Sequence, residues 1–190
     1  MPTPTFRQLC RQVREDHRVH NRDWTRPGFR AVAMYRFGVW AAGTRPPLRR
    51  VAKRVYLALH RYVRNHYTIE LHRTAVLGRR VRIAHQGGIV IHPSARIGDE
   101  CILRQNVTIG AATLDTYKEG PVLGQHVDVG AGAVIIGHVT VGDGAHIGPN
   151  SVVTTDVPPG ATVFGNPMRI LPAPRTAPMV THSSHHSDAA

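Results

Sequence analysis

The chain has 190 residues, with 24 Lys/Arg against 12 Asp/Glu and a formal net charge of +12. That length suits one domain plus an appendage, and a hydrophobic content of 42% supports a packed core, which argues against a wholly disordered chain. Two distant cysteines, Cys10 and Cys101, and an N-terminus without an apolar leader argue against a disulfide framework and a secretory route, so a reducing cytoplasm is expected.

The charge is uneven. Residues 1–80 hold 18 Lys/Arg against 4 Asp/Glu, and the remainder hold 6 against 8. The basic half could meet an anionic membrane or a phosphate-bearing partner, but it carries no recognisable nucleic-acid-binding motif. A solvated basic helical face is the plain alternative, and peripheral membrane contact through these helices stays open. Residues 1–65 read as a helical N-terminal segment. "FRAVAMYRFGVW" sets Phe29, Ala33, Phe37 and Trp40 at helical spacings. "GTRPPL" breaks that helix, and residues 49–63 begin another, with Val51, Val55, Leu59 and Tyr62 as its apolar stripe. Arg30 and Arg36 make the 29–43 stretch unsuitable as a membrane span.

From residue 66 to 171 the period becomes six. Aliphatic residues recur at Leu71, Leu77, Ile83, Ile91, Ile97, Leu103 and Ile109, then at Leu123, Val129, Ile135, Val141, Ile147 and Val153. Small or branched residues such as Ala75, Val81, Cys101 and Ala133 stand four places on, and a glycine often follows the aliphatic residue. Such hexads mark a parallel β-helix in which three hexads close a coil and the aliphatic residue points inward. The glycine is expected to free the backbone at the corner. Two places break the rhythm: Ile83 to Ile91, and Ile109 to Leu123, the latter read as two more residues than two steps of the repeat. Excess residues in a solenoid emerge as loops, often on a binding face. Residues 172–190 are expected to be a disordered tail whose "HSSHH" is solvated.

"IELHRTAVLGRRVRIAHQGGIVIHPSARIG", "VTIG" and "VGAGAVIIGHVTVGDGAHIGPNSVVTTDVPPGATVFGNPMRI" resemble the serine acetyltransferase family, notably its short members found with exopolysaccharide genes. "GFRAVAMYRFGVW" resembles a helix of the same family, so the likeness covers roughly residues 12–171. The resemblance implies a left-handed parallel β-helix behind an N-terminal α-helical segment. It also implies acetyl-CoA as donor, no metal, and a homotrimer with active sites between subunits.

The family's catalytic histidine corresponds to His85 in "AHQGG". An imidazole there can take the proton of an attacking hydroxyl. The family's orienting carboxylate, fifteen residues earlier, corresponds to Glu70, expected to stack beneath 83–88 and hold the imidazole tautomer. Gln105 and Gln125, at one hexad position, are expected beside His85, with Gln86 and Asn106 as further acceptor-binding groups. Ala131, Gly132, Gly148, Thr154, Thr155 and Arg169 are expected to hold the donor; small residues let an extended pantetheine approach, and an arginine suits its phosphates.

Two departures bear on the acceptor. The family's aspartate before the histidine is Ala84, and its "RHP" is "KEGP" at 118–121. An ammonium and a carboxylate left unpaired in a closed site cost several kcal/mol. These departures favour O-acetylation of a sugar or exopolysaccharide precursor, with serine O-acetylation of cysteine biosynthesis as the alternative. A zinc hydratase would need three convergent histidines, and His92, His126, His138 and His146 do not have that spacing. A non-catalytic scaffold using the basic helices is the remaining reading.

Overall fold

The computed structural model describes residues 4–113 and 119–173. Helix α1 (Phe6–Val19) starts at a reciprocal cap between Thr5 and Gln8. Helix α2 (Pro27–Ala42) opens on a proline at its first turn and buries nine residues. Helix α3 (Leu48–Tyr67) ends at Thr68, whose φ of 52° turns the chain into the first strand.

A three-faced β-solenoid follows. Face A stacks β1 (Ile69–Leu71), β4 (Ile89–Ile91), β7 (Thr108–Gly110), β10 (Val134–Ile136) and β13 (Val152–Val153). Face B stacks β2 (Val76–Leu77), β5 (Arg96–Ile97), β8 (Val122–Leu123) and β11 (Thr140–Val141). Face C stacks β3 (Arg82–Ile83), β6 (Ile102–Leu103), β9 (Asp128–Val129), β12 (His146–Ile147) and β14 (Thr162–Phe164), closed by antiparallel β15 (Arg169–Leu171). All thirteen aliphatic positions of the hexad pattern are buried, in parallel register from coil to coil. The repeat also runs on past Val153, with Val157, Ala161 and Val163 buried.

The glycine after the aliphatic residue has a different task from the one expected. A Cβ on Gly98 would sit 2.3 Å from the Gly124 carbonyl oxygen, so glycine lets adjacent coils close together. The left-handed corner residue comes two places later and is usually not glycine: Arg80, Glu100, Asn106, His126 and Asn150 all have φ of 55–60°. The long insertion is also larger than expected. Leu123 lies on face B beside Ile97, one face beyond Ile109. Fourteen residues therefore replace a single step of six.

The first coil has no coil beneath it, and its backbone groups would be orphaned. Side chains of the helices take their place. The Tyr35 hydroxyl donates to the Ala75 carbonyl (2.7 Å) and accepts from the Leu77 N–H (3.1 Å). Arg36 donates to the carbonyls of Leu77 and Gly78 while paired with buried Asp16 at 2.9 Å. The Tyr56 hydroxyl accepts from the Arg73 N–H, and His20 Nε2 accepts from the Ile83 N–H at 3.2 Å. Gly28 lets α2 lie directly on β3, since a Cβ there would meet the Ile83 oxygen at 2.0 Å.

Helix α3 contradicts the expected stripe. Its buried residues are Ala52, Tyr56 and Val63, whereas Val51, Val55, Leu59 and Tyr62 are 41–59% exposed. Ala52 and the Tyr56 ring, which fits against Gly38, allow a closer approach to α2 than the bulkier aliphatic stripe would. On α2, Phe29 is buried, but Ala33, Phe37 and Trp40 lie half-exposed on its outer side.

Two stability predictions follow from these contacts. Arg36→Met strands the buried Asp16 carboxylate and two carbonyls, so urea unfolding should show a loss of about 3–5 kcal/mol. Burial lowers the His20 pKa from 6.5, so the folded state binds that proton more weakly than the unfolded chain. Its contribution is therefore complete above pH 6.5 and lost as pH falls below it. Melting temperatures from pH 7.5 down to 5.5 should fall more steeply for wild type than for His20→Gln.

Candidate active site on the C–A edge

His85 follows β3, where face C turns into face A. Register sets Ile83 beside Leu103 and Leu103 beside Val129, so His85, Gln105 and Ala131 form one vertical column. Asn106 and Gly132 form the next column, and the Asn106 N–H donates to the Gly87 carbonyl at 2.7 Å. The Gly132 N–H donates to the Gln105 carbonyl at 2.9 Å. His85 is exposed because 84–88 cannot fit within the coil. That loop rests on the end of α3: the Gly87 N–H donates to the Tyr67 carbonyl (3.1 Å) and the Gly88 N–H to the Thr68 hydroxyl (3.0 Å). Gly87 and Gly88 have φ of 106° and 61°, which explains the glycine pair.

The column brings together several expected residues. Gln105 stands one coil above His85, and its side-chain oxygen is buried without a hydrogen-bond partner among the described residues. Asn106 and Gln86 are exposed at the same edge. Gln125 is not there. It follows β8 on the B–C edge, where its N–H donates to Asp143 Oδ1 at 2.7 Å. The cause is the longer insertion between β7 and β8, which moves everything after it by one face relative to the hexad count.

Glu70 also departs from expectation. Register places it beside Val90 on face A, not beneath 83–88. It is exposed and makes no hydrogen bond or ion pair with His85 among the described residues. Its charge instead acts on His60 and His72. Burial lowers both of their pKa values, and the Glu70 carboxylate opposes that shift.

Of the donor-side residues, Ala131 and Gly148 line a groove of about 330 Å³ on face C at this edge. Arg104, paired with Asp128 across adjacent coils, and His146 line it too. Sequence reading missed these two; Arg104 follows β6 at the position that Gly130 holds one coil on, and an arginine in place of the repeat's glycine was the available signal. Arg169, on β15 opposite Phe164, sits exposed at the upper end of the same face. Gly132 and Gly148 have structural reasons to be small. A Cβ on Gly132 would lie 2.1 Å from Asn150 Oδ1, and one on Gly148 would lie 2.9 Å from the Val163 oxygen. Thr154 and Thr155 follow β13 on the A–B edge, apart from the others within one chain. Of the "KEGP" stretch, Lys118 lies outside the described residues, as does most of the tail. Among the described residues no three His, Cys, Asp or Glu side chains converge as a metal site. Cys101 is core: burial raises its pKa to about 11.

These features define a hexapeptide-repeat solenoid with a three-helix N-terminal layer and an exposed histidine at a solenoid edge. The bacterial transferase hexapeptide (six repeats) pattern matches residues 120–155. The serine acetyltransferase of Synechococcus elongatus is 37% identical over 145 residues, covering 76% of this chain and 57% of that protein. The Mycobacterium tuberculosis serine acetyltransferase is 33% identical over 152 residues, covering 80% and 64%. A soybean serine acetyltransferase solved in complex with serine superposes with a TM-score of 0.72 at 30% identity, covering 86% of this chain and 69% of that one. The chain belongs to the serine acetyltransferase family. It spans only about three-fifths of the length of the two curated relatives. The matches give no support to the exopolysaccharide-associated type.

The loop carrying His85 depends on its glycines. A Cβ on Gly88 would lie 2.5 Å from Asn106 Oδ1, in a left-handed backbone. Gly88→Ala should cost about 1–2 kcal/mol in thermal unfolding, with secondary structure unchanged by circular dichroism.

Proposed function

We propose that this chain is an acetyl-CoA-dependent O-acetyltransferase whose acceptor is the hydroxyl of serine. The observation that carries the reading is the expulsion of His85 from an otherwise regular wall, beneath a Gln105 oxygen with no partner among the described residues, in a chain whose relatives are named for serine acetylation. The expected sugar acceptor gives way to serine on that likeness.

His85 takes the hydroxyl proton as the oxygen attacks the thioester carbonyl carbon. The tetrahedral intermediate then collapses, the carbon–sulfur bond breaks, and His85 returns the proton to the departing thiolate. Gln105 supplies a neutral hydrogen-bonding group to the acceptor from one coil above. Glu70 acts as the orienting carboxylate only if His85 and Glu70 are drawn together in the assembled, substrate-bound enzyme. The groove with Ala131 and Gly148, leading toward Arg169, suits an extended amide chain ending in phosphates. A homotrimer, with Thr154 and Thr155 contributed across a subunit boundary, would reunite the donor residues that one chain separates.

A glycan hydroxyl is the second reading, and Ala84 favours it. An acceptor without an ammonium loses nothing by the missing carboxylate.

The tests are kinetic. Thiol release from acetyl-CoA should saturate with millimolar L-serine, and turnover of glycans alone would overturn the serine reading. His85→Ala should lower kcat by about 10²–10⁴-fold with CoA affinity unchanged. A wild-type rate in folded His85→Ala would remove the mechanism.

A further inference from the structure

We propose that the outer face of the helical layer docks on an anionic lipid bilayer. The proposal is independent of the acetyl-transfer reading. The inner side of α2 is committed to the first coil through Gly28, Tyr35 and Arg36. Its outer side floors two apolar grooves. One, of about 380 Å³, lies against α3, and the other, of about 340 Å³, lies against α1. Ala33, Phe37 and Trp24 line both, so the grooves meet in one trough, and Trp24 is 62% exposed beside it. Leu59 and Tyr62 of α3 border the trough. The exposed Val51 and Val55 extend the same helical stripe beyond it.

The rims are cationic. Arg7, Arg11, Arg14 and Arg18 fall at i, i+4, i+7 and i+11 on α1 and form one stripe. All four are exposed, and none has an ion pair or hydrogen bond among the described residues. Glu15 on the same helix is engaged with Arg79, and Asp16 is buried with Arg36. Helix α3 adds six Lys/Arg and no Asp or Glu.

An apolar, aromatic-bearing floor between unpaired arginines matches the headgroup boundary of an anionic bilayer. The aliphatic and indole groups enter it while arginines meet phosphates. A second copy of this face would set one cationic rim against another. A nucleic acid would use the arginines but leave the aliphatic floor in water. No helix among the described residues is long and apolar enough to cross a membrane, so the fit is to a surface.

Co-flotation of the full chain with vesicles tests this. Phosphatidylcholine vesicles containing phosphatidylglycerol should retain the protein, pure phosphatidylcholine should not, and salt should weaken retention. Arg11→Glu with Arg14→Glu, and separately Val51→Asp with Val55→Asp, should each cut retention by about tenfold or more while the circular dichroism spectrum is kept. Equal retention on both vesicle types, none on the anionic ones, or retention unaltered by both variants would overturn it. So would a wild-type protein that ignores vesicles but loses an oligomer, by light scattering, in the Val51→Asp/Val55→Asp variant. RNA binding by a chain that ignores anionic vesicles would overturn it equally.

Discussion

Every coil of this solenoid must return to the same place, because its backbone groups are satisfied only by the coils above and below. On face A the inward residues Leu71, Ile91, Ile109, Ile135 and Val153 stack in order, whatever length of chain separates them. Residues beyond the perimeter of a coil have nowhere to go but outward. The chain between β3 and β4 has such an excess, and it leaves the wall at His85. The chain between β7 and β8 has a larger one. The geometry that makes the wall rigid therefore also selects where chemistry can protrude from it.

A ladder of this kind has two open ends, and open edges invite pairing with other chains. The upper end is turned back by β15. At the lower end, Tyr35, Arg36, Tyr56 and His20 mimic a missing coil, offering hydroxyl, guanidinium and imidazole groups to the orphaned backbone. The geometry fixes the His20 tautomer: Nδ1–H donates to the Asp16 carbonyl at 2.6 Å while Nε2 accepts from Ile83. The helices and the solenoid are thus one cooperative unit. The consequence is that α2 turns Tyr35 and Arg36 inward and leaves Arg30 as the one charged side chain on an otherwise apolar outer side.

The hexads were legible in the sequence because each carries its own instruction: one inward aliphatic residue, one small residue, one corner. Nothing non-local is needed to read them, and all the inward positions are buried as expected. His85 was legible for the same reason, as a break in a local rule. The misplacements share a non-local cause. Gln125 depends on whether the long insertion replaces one step or two, which only strand pairing decides. Glu70 depends on register across a loop of variable path. On α3, two adjacent stripes compete for the core, and the less apolar one wins because Ala52 and Tyr56 match the shape of α2. Hydrophobicity ranks such stripes, but it does not measure fit.

The same distinction bears on the acceptor. An aspartate at position 84 would offer an ammonium a full charge, whereas Ala84 offers none. What the edge does hold is the Gln105 oxygen, desolvated already and with no hydrogen-bond partner among the described residues. A buried acceptor of this kind costs free energy in the empty protein, and any donor that reaches it recovers that cost on binding. Either a hydroxyl or an ammonium can serve as that donor. On the serine proposal that donor is the ammonium, and on the glycan reading it is a hydroxyl neighbouring the reactive one.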